Sequence, residues 1–211
     1  MKAFCVIGLH NTGKTTAVEN LIKFFKQKDK SISTIKDIHA ENFTMEKQGS
    51  NTDRHLKASN SYVFARGLNE THLIWDRQLS FTEMIRHIDT EWLIIEGMKE
   101  LPLPKIIAAR TAEDIEMLLD ETVIAITGSY SESHESYKEI PAYNAVRDVD
   151  KLYGLLINKV DSQTQIKIKI YFNGVEIPLN DWVSQVSTDL ITGFCQNLKG
   201  YSPGAKIKIE M

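Results

Sequence analysis

The chain has 211 residues, of which 42% are hydrophobic and 25% are charged, which is enough for one domain, or slightly more, with a substantial core. The formal charge of −3 argues against a nucleic-acid partner, because binding to a phosphate backbone requires a basic surface. Cys5 and Cys195 lie far apart, which disfavours a disulfide or metal framework. We recognise no signal peptide and no apolar run near the ~20 residues of a membrane span, and we expect a soluble cytoplasmic protein.

The first chemical signal is the pattern G-x-x-x-x-G-K-T at Gly8–Thr15, between a hydrophobic strand and an amphipathic helix. This is a phosphate-binding loop in the strand–loop–helix context that it requires. Gly8 and Gly13 permit tight turns with inward-pointing amides, Lys14 can reach the outer phosphates, and the Thr15 hydroxyl is placed to bind Mg²⁺. The helix adds its positive pole. The predicted nucleotide-binding residues of the loop are Gly8, Asn11, Thr12, Gly13, Lys14, Thr15 and Thr16.

Strands and helices then alternate along the chain up to about residue 160. Apolar runs predict strands, and apolar residues at helical spacing predict helices. The predicted strands cover residues 31–36, 62–65, 73–75, 92–97, 105–109 and 123–127. The predicted helices cover about 14–28, 52–58, 81–88, 111–119 and 148–160, the third beginning with a capping box of Ser80 and Glu83. Residues 41–61 and 128–139 read as polar loops. This order predicts an α/β fold with a mostly parallel sheet and helices on both faces.

The last fifty residues change in character. Apolar and polar residues alternate from Ile166 to Phe172, and Asn173-Gly174 is a strong hairpin signal before a return strand at 175–177. A helix from about Asp181 to Leu198 and a strand at 207–209 complete a small α+β appendage. We therefore divide the chain into a nucleotide-binding domain, 1–161, and an appendage, 162–211, for packing, dimerisation or partner contact.

A phosphate loop requires a carboxylate near its metal, and two glutamates flank the strand around residue 94. Glu91 and Glu96 are about 16 Å apart along an extended strand, so only one can reach the metal. Ligands of parallel sheets bind beyond the carboxyl ends of the strands, which selects Glu96. Asp37 follows another strand and is a second candidate for holding Mg²⁺ or a water, or is a capping carboxylate. The predicted metal ligands are Thr15 and Glu96, and the predicted catalytic residues are Lys14, Asp37 and Glu96.

The motif Asn158-Lys159-Val160-Asp161 matches the N-K-x-D pattern with which many GTPases read guanine. That role requires the motif at the end of a strand, whereas the preceding residues have helical spacing. We interpret it as a helix end.

The order of motifs resembles the MobB family, the accessory proteins of molybdopterin guanine dinucleotide biosynthesis, over roughly residues 1–160. The resemblance rests on the phosphate loop, on Thr34-Ile35-Lys36, on Gly49, Thr52 and Arg54-His55, and most selectively on Glu96-Gly97-Met98-Lys99 followed by Pro104-Lys105-Ile106. It implies a P-loop NTPase-like fold, binding of GTP with Mg²⁺ and weak hydrolysis. It also implies a homodimer that works with the MobA-type guanylyltransferase on molybdopterin in molybdenum or tungsten cofactor biosynthesis.

The chain departs from the family pattern after its second strand. Asp37 stands where the family usually has histidine, and Gly49-Ser50-Asn51-Thr52 replaces the usual G-K-D-[ST]. These changes put ligand contacts of that loop in doubt.

Basic residues near the motifs have two possible roles each. Gly97 and Lys99 are candidate nucleotide-binding residues. Lys99, Lys105 and Arg110 could together bind the phosphate of a ligand as an anion clamp. The alternative is that they are exposed surface charges, and we favour this alternative for Arg110. The sequence Arg54-His55-Lys57 is either a basic face for a ligand or a solvated helix.

Two other functions compete with a GTP-binding accessory protein. One is a P-loop small-molecule kinase with Asp37 as base, although the chain offers no arginine-bearing lid. The other is a nucleotide-gated binding module that acts through the appendage.

Overall fold

A five-stranded sheet organises the larger of the two units into which this computed structural model divides, Met1–Ile35 with Glu91–Met211; the smaller unit is Lys36–Thr90. The structure describes residues 1–40, 43–160, 170–172, 175–177, 186–187, 190–191 and 193–194. The strands are β1 Lys2–Gly8, β2 Ile32–Lys36, β3 Tyr62–Arg66, β4 Thr71–Trp75, β5 Trp92–Glu96, β6 Lys105–Ala108, β7 Val123–Thr127, β8 Ser136–Tyr137, β9 Ile140–Pro141, β10 Ile170–Phe172 and β11 Val175–Ile177. The helices are α1 Lys14–Gln27, α2 Asn51–Ser59, α3 Phe81–Ile85, α4 Ala112–Glu116 and α5 Val149–Lys159.

The sheet has the strand order β2-β5-β1-β6-β7. Strand β1 pairs in parallel with β5 and with β6, and β6 pairs in parallel with β7. In this register Val6 lies beside Glu96, and Gly8 lies beside Ala108. The carboxyl ends of these four strands therefore meet at one edge, which is where open parallel sheets bind ligands. The predicted α/β fold with a mostly parallel sheet is confirmed.

The core follows from the alternation of side chains along each strand. Phe4 and Val6 of β1 share a face with Trp92 and Ile94 of β5, and this face packs against α1 and α5. The intervening side chains, such as Cys5 and Ile95, are also fully buried. Both faces of the central strands are thus covered, which explains why their sequences are continuously apolar.

The unit Lys36–Thr90 contains two predicted features that the structure reproduces. Strands β3 and β4 form an antiparallel hairpin, with Tyr62 opposite Trp75. At the start of α3, the Ser80 side chain accepts from the Glu83 amide while the Glu83 side chain accepts from the Ser80 amide, so the capping box is present.

The N-K-x-D match lies at the end of a helix, as predicted, because Asn158 and Lys159 are the last two residues of α5.

The segment after β7 is not a plain polar loop as predicted, because Ser129–Glu132 forms a 3₁₀ turn and β8 pairs with β9. Backbone bonds explain this order: the Tyr130 amide donates to Ala109 O at 3.1 Å, and the Ala142 amide donates to Glu135 O at 2.8 Å.

The predicted tail is only partly within the described residues. Strands β10 and β11 form the expected antiparallel hairpin. The predicted start of its first strand at residue 166, the strand at 207–209, and much of the helix at 181–198 lie outside the described residues. The domain boundary between residues 161 and 162 stays a prediction.

Within the part of the chain that the structure describes, no helix is long and apolar enough to cross a membrane.

Candidate functional site

The loop between β1 and α1 has the backbone geometry of an anion cradle. Asn11 and Gly13 adopt the left-handed conformation, with φ of 58° and 95°, and such turns direct successive amides toward one point. The loop is tied down from inside, because the Thr12 hydroxyl and the Lys14 ammonium both donate to Leu9 O. Helix α1 begins at Lys14 without a side-chain cap at Gly13. The first turn of a helix has no acceptors one turn earlier for its amides, so the start of α1 at this loop favours a bound anion.

Gly8 is required by space rather than by an unusual backbone angle. A Cβ atom at this position would lie 2.5 Å from Ala108 O and 2.5 Å from the Thr12 hydroxyl. The start of the loop therefore packs directly against the end of β6, and no larger residue fits without shifting the loop.

Gly128, which sequence reasoning missed, supports the loop from the other side. Its Cβ would lie 2.4 Å from Ala109 O and 2.7 Å from Thr12 O. Its φ of 87° and ψ of −167° fall in a region that is essentially restricted to glycine. The only signal in the sequence is a glycine directly after a buried strand, and this signal does not reveal which backbone atoms approach it.

Thr15 and Glu96 lie together on the side of the loop that faces β5. The Thr15 hydroxyl donates to Glu96 Oε1 at 3.0 Å, and the Glu96 side chain is nearly buried, with 9% of the residue exposed. A hydroxyl and a carboxylate are the hard oxygen donors that Mg²⁺ takes from proteins. The donor set therefore fits Mg²⁺.

The chain turns sharply after Glu96. Gly97 and Met98 both have positive φ, 103° and 49°, and the Gly97 amide donates to Val6 O at 3.1 Å. This amide is thus used by the sheet in the present structure, whereas Lys99 is exposed beyond the turn. Thr16, the third residue of α1, is also exposed, and its carbonyl accepts from the Asn20 side chain.

Glu91 lies at the opposite end of β5 from Glu96. It forms an exposed ion pair with Lys30 at 3.1 Å and accepts from the Ser31 amide at 3.3 Å. The hydrogen bond from Lys30 is the main reason that the pKa of Glu91 is lowered. Glu91 therefore links the amino-terminal end of β5 to the segment before β2, at the opposite end of the strand from the phosphate loop.

Of the three predicted catalytic residues, Asp37 belongs to the unit Lys36–Thr90, whereas Lys14 and Glu96 belong to the larger unit. Within its own unit, Asp37 Oδ2 lies 3.3 Å from His39 Nε2. Its proposed contact with a metal or a water stays a prediction.

Lys105 is neither an exposed charge nor free to act as an anion clamp. Its side chain is 4% exposed and its ammonium is paired with Asp120. Partial burial opposes ionisation of Asp120, but the hydrogen bonds from Lys105 and Thr122 outweigh it and lower the pKa of this carboxyl. Arg110 is half-exposed and pairs with Asp114, with 3.4 Å between Nε and Oδ2, which makes it a surface charge as we favoured.

A family model described as "Molybdopterin guanine dinucleotide synthesis protein B" (MobB) matches residues 3–129. The chain belongs to the MobB family. The matched segment contains the phosphate loop, Glu96 and Gly128, so the site described above lies within the region that defines the family.

Relatives of this MobB-family chain share about a quarter of its residues. A protein of Bacillus subtilis (strain 168), the "Probable molybdopterin-guanine dinucleotide biosynthesis adapter protein", is 27% identical over 145 residues, which are 66% of this chain and 83% of the relative. A "Putative molybdopterin-guanine dinucleotide biosynthesis adapter protein" of Methanocaldococcus jannaschii is 25% identical over 232 aligned residues, 100% of this chain and 97% of the relative. The second alignment extends through the appendage, which the family model does not reach.

Solved structures of the family share the fold of this MobB-family chain. The crystal structure of Bacillus subtilis MobB has a TM-score of 0.61 at 24% identity, over 76% of this chain and 99% of that one. The crystal structure of a MobB homologue from Bacillus stearothermophilus has a TM-score of 0.55 at 20% identity, over 76% of this chain and 98% of that one. The P-loop NTPase-like fold is thereby confirmed.

Proposed function

We propose that this protein is a GTP-binding, Mg²⁺-dependent accessory protein of molybdenum or tungsten cofactor biosynthesis, acting at the molybdopterin guanine dinucleotide step. The observation that carries the proposal is the pairing of Thr15 with Glu96 at the mouth of a phosphate loop. This pairing occurs in a chain of the MobB family, whose description names the guanine dinucleotide.

Each side chain of the site has a role that follows from its chemistry. The amides from Asn11 to Thr15 and the start of α1 would bind the phosphate oxygens. Lys14 would shift from Leu9 O toward the outer phosphates and offset their charge. Thr15 and Glu96 would hold Mg²⁺, which supplies a positive charge next to the phosphates when it is bound. Asp37 remains our second candidate for orienting a water.

Gly97, Lys99 and Thr16 complete the proposed nucleotide site. The left-handed Gly97 turns the chain sharply at the end of β5, directly after Glu96. Lys99 and Thr16 are exposed at the same edge as the phosphate loop, where an ammonium and a hydroxyl can reach phosphate oxygens. Hydrolysis is expected to be slow, and the protein acts mainly by binding.

The proposed partners are the MobA-type guanylyltransferase, molybdopterin and a second copy of this chain. The β3–β4 hairpin offers a surface for the homodimer, because Tyr62 and Phe64 are 51% and 64% exposed and their rings contact each other edge to face. Exposed aromatic pairs of this kind are typical of protein interfaces.

A competition experiment tests the proposal. The purified full chain is equilibrated with a fluorescent GTP analogue and Mg²⁺, and unlabelled GTP, ATP and molybdopterin are added separately, with Lys14→Ala as the control. We expect GTP to displace the analogue at lower concentration than ATP, and Lys14→Ala not to bind it. Tighter binding of ATP would favour the small-molecule kinase instead, and binding that is unaffected by Lys14→Ala would place the nucleotide elsewhere.

A further inference from the structure

The carbonyl of Leu9 is shared by two side-chain donors of the phosphate loop. The Thr12 hydroxyl donates to Leu9 O at 3.0 Å, and the Lys14 ammonium donates to the same oxygen. A carbonyl oxygen has two lone pairs, so it can accept both bonds at once. In this structure Lys14 is therefore held against the backbone of its own loop, and Thr12 holds the same acceptor beside it.

The two donors differ in their freedom to move. Thr12 is 3% exposed, and its hydroxyl oxygen lies 2.5 Å from the position that a Cβ of Gly8 would occupy. On the other side, Thr12 O lies 2.7 Å from the Cβ position of Gly128. Thr12 is thus packed between two glycines, and its hydroxyl stays with Leu9 O. Lys14 is only partly buried, and its long flexible side chain can turn to another partner.

This difference matters when Lys14 turns toward a phosphate, because that movement removes one of the two bonds to Leu9 O. The remaining bond from Thr12 keeps the carbonyl paired, which avoids the cost of an unsatisfied polar group. Without the Thr12 hydroxyl, Lys14 would be the last side-chain donor to Leu9 O among the residues that the structure describes. Its departure would then oppose ligand binding.

We propose that Thr12 is a positioning residue of the phosphate loop. Its hydroxyl keeps Leu9 O hydrogen-bonded in both the empty and the occupied site, which releases Lys14 for the phosphates at low cost. The assignment rests on the proposed nucleotide function, because that function supplies the phosphates. The hydroxyl does not contact the ligand and acts only through Leu9 O and Lys14, whereas the amide of Thr12 is assigned to the phosphate oxygens.

The first test uses the full chain without nucleotide and measures whether the two donors share one acceptor. Urea denaturation midpoints are compared for the native chain, Thr12→Val, Lys14→Met and the double variant. Each single variant leaves Leu9 O one of its two side-chain donors, whereas the double variant leaves neither. We expect the double variant to lose more stability than the sum of the two single losses. Additive losses would overturn the proposal.

Thr16→Val combined with Lys14→Met is the matched control for this test. Thr16 is an exposed threonine of α1, and the two hydrogen bonds to Leu9 O come from Thr12 and Lys14. We expect additive losses in this control pair. Non-additive losses of the same size would show that the coupling does not pass through Leu9 O and would overturn the proposal.

The second test measures GTP affinity in Mg²⁺ by isothermal titration calorimetry. Thr12→Val is expected to weaken binding about tenfold, because release of Lys14 then leaves Leu9 O without either side-chain donor. Thr12→Ser keeps the hydroxyl and is expected to stay within about threefold of the native affinity. Native affinity in Thr12→Val, or equal losses in the valine and serine variants, would show that the hydroxyl has no positioning role.

The two tests separate the role of Thr12 from the proposed function. If the native chain did not bind GTP, both would fail. GTP binding by the native chain together with additive losses in urea would refute the role of Thr12 alone. Circular dichroism of each variant establishes that a lost affinity is not a lost fold.

Discussion

The hydroxyl of Thr15 donates a 3.0 Å hydrogen bond to the carboxylate of Glu96, although the two residues are remote in the sequence. The contact arises because β1 and β5 are neighbours in parallel register, which brings the end of β5 beside the loop that follows β1. A bound cation at this point would find both oxygen ligands already within reach. Preorganised ligands of this kind reduce the entropy that binding must otherwise overcome.

Glu96→Gln is expected to weaken Mg²⁺-dependent nucleotide binding by about tenfold or more, because an amide oxygen is a weaker ligand for a hard cation than a carboxylate. Glu91→Gln is the matched control, since Glu91 pairs with Lys30 at the other end of the same strand. The nucleotide affinity of this variant is expected to stay within about twofold of that of the native protein. Calorimetric titrations in Mg²⁺ and in EDTA measure both. Equal losses in the two variants would mean that the metal does not bind at the Glu96 end.

Lys14→Ala is expected to abolish detectable nucleotide binding, because the positive charge nearest the phosphates is lost. Stability should change little. The variant removes one hydrogen bond to Leu9 O, and such a bond contributes about 1 kcal/mol. Titration with GTP and a urea denaturation curve provide the two measurements. If affinity were retained in a folded variant, the phosphate loop would not be the nucleotide site.

Much of this site could be predicted from local sequence. The phosphate loop is contiguous, so its glycines, Lys14 and Thr15 are visible in one short pattern. Glu96 could be preferred to Glu91 because strand direction alone decides which of them reaches the carboxyl edge of a parallel sheet. In both cases the order of residues along one strand or loop is sufficient. The proposed roles of these side chains as ligands stay predictions.

Other features depend on contacts between distant segments and left no local signal. Gly128 is necessary because Thr12 O and Ala109 O approach it, and no periodicity within residues 123–132 encodes that approach. Lys105 is similar: its sequence context allowed an anion clamp or an exposed charge, whereas it is buried and paired with Asp120, which follows α4 in the chain. Such features follow from tertiary packing rather than from residue preferences.

Gly128→Ala tests whether the glycine supports the phosphate loop. The added Cβ would meet two backbone carbonyls in a glycine-only conformation, so we expect a loss of about 2–4 kcal/mol in unfolding free energy and weaker nucleotide binding. Gly154→Ala is the control. Nothing lies within 4 Å of its Cβ position and it sits inside α5, so this variant should gain about 0.5–1 kcal/mol. A neutral Gly128→Ala would contradict the packing described.

The ion pair between the buried Lys105 and the partly exposed Asp120 should respond asymmetrically to mutation. Asp120→Asn leaves the ammonium of Lys105, whose side chain is 4% exposed, without a counter-ion. We expect this variant to lower the free energy of unfolding by about 3–5 kcal/mol. Lys105→Met replaces the buried cation by an apolar chain of similar length. The Asp120 side chain, 36% exposed, can then be hydrated, so the loss should stay below about 1.5 kcal/mol. Urea denaturation of both variants decides the order, and the reverse order would mean that Lys105 can reach solvent.

The capping glutamate of α3 predicts a pH dependence in the acid range. The hydrogen bond from Arg77, followed by those from Ser80, lowers the pKa of Glu83 from 4.5 to about 2. Because the folded pKa is the lower one, the stabilisation is complete above pH 4.5 and is lost as the pH falls toward 2. The melting temperature of Glu83→Gln should therefore lie below that of the native protein at pH 6, and the difference should shrink progressively between pH 4.5 and pH 2. Arg77→Gln removes the main cause of the lowered Glu83 pKa. In the Arg77→Gln background, the melting-temperature difference caused by Glu83→Gln should therefore change over a narrower pH range. A difference that is constant with pH would show that Glu83 is not held in its ionised form by this cap.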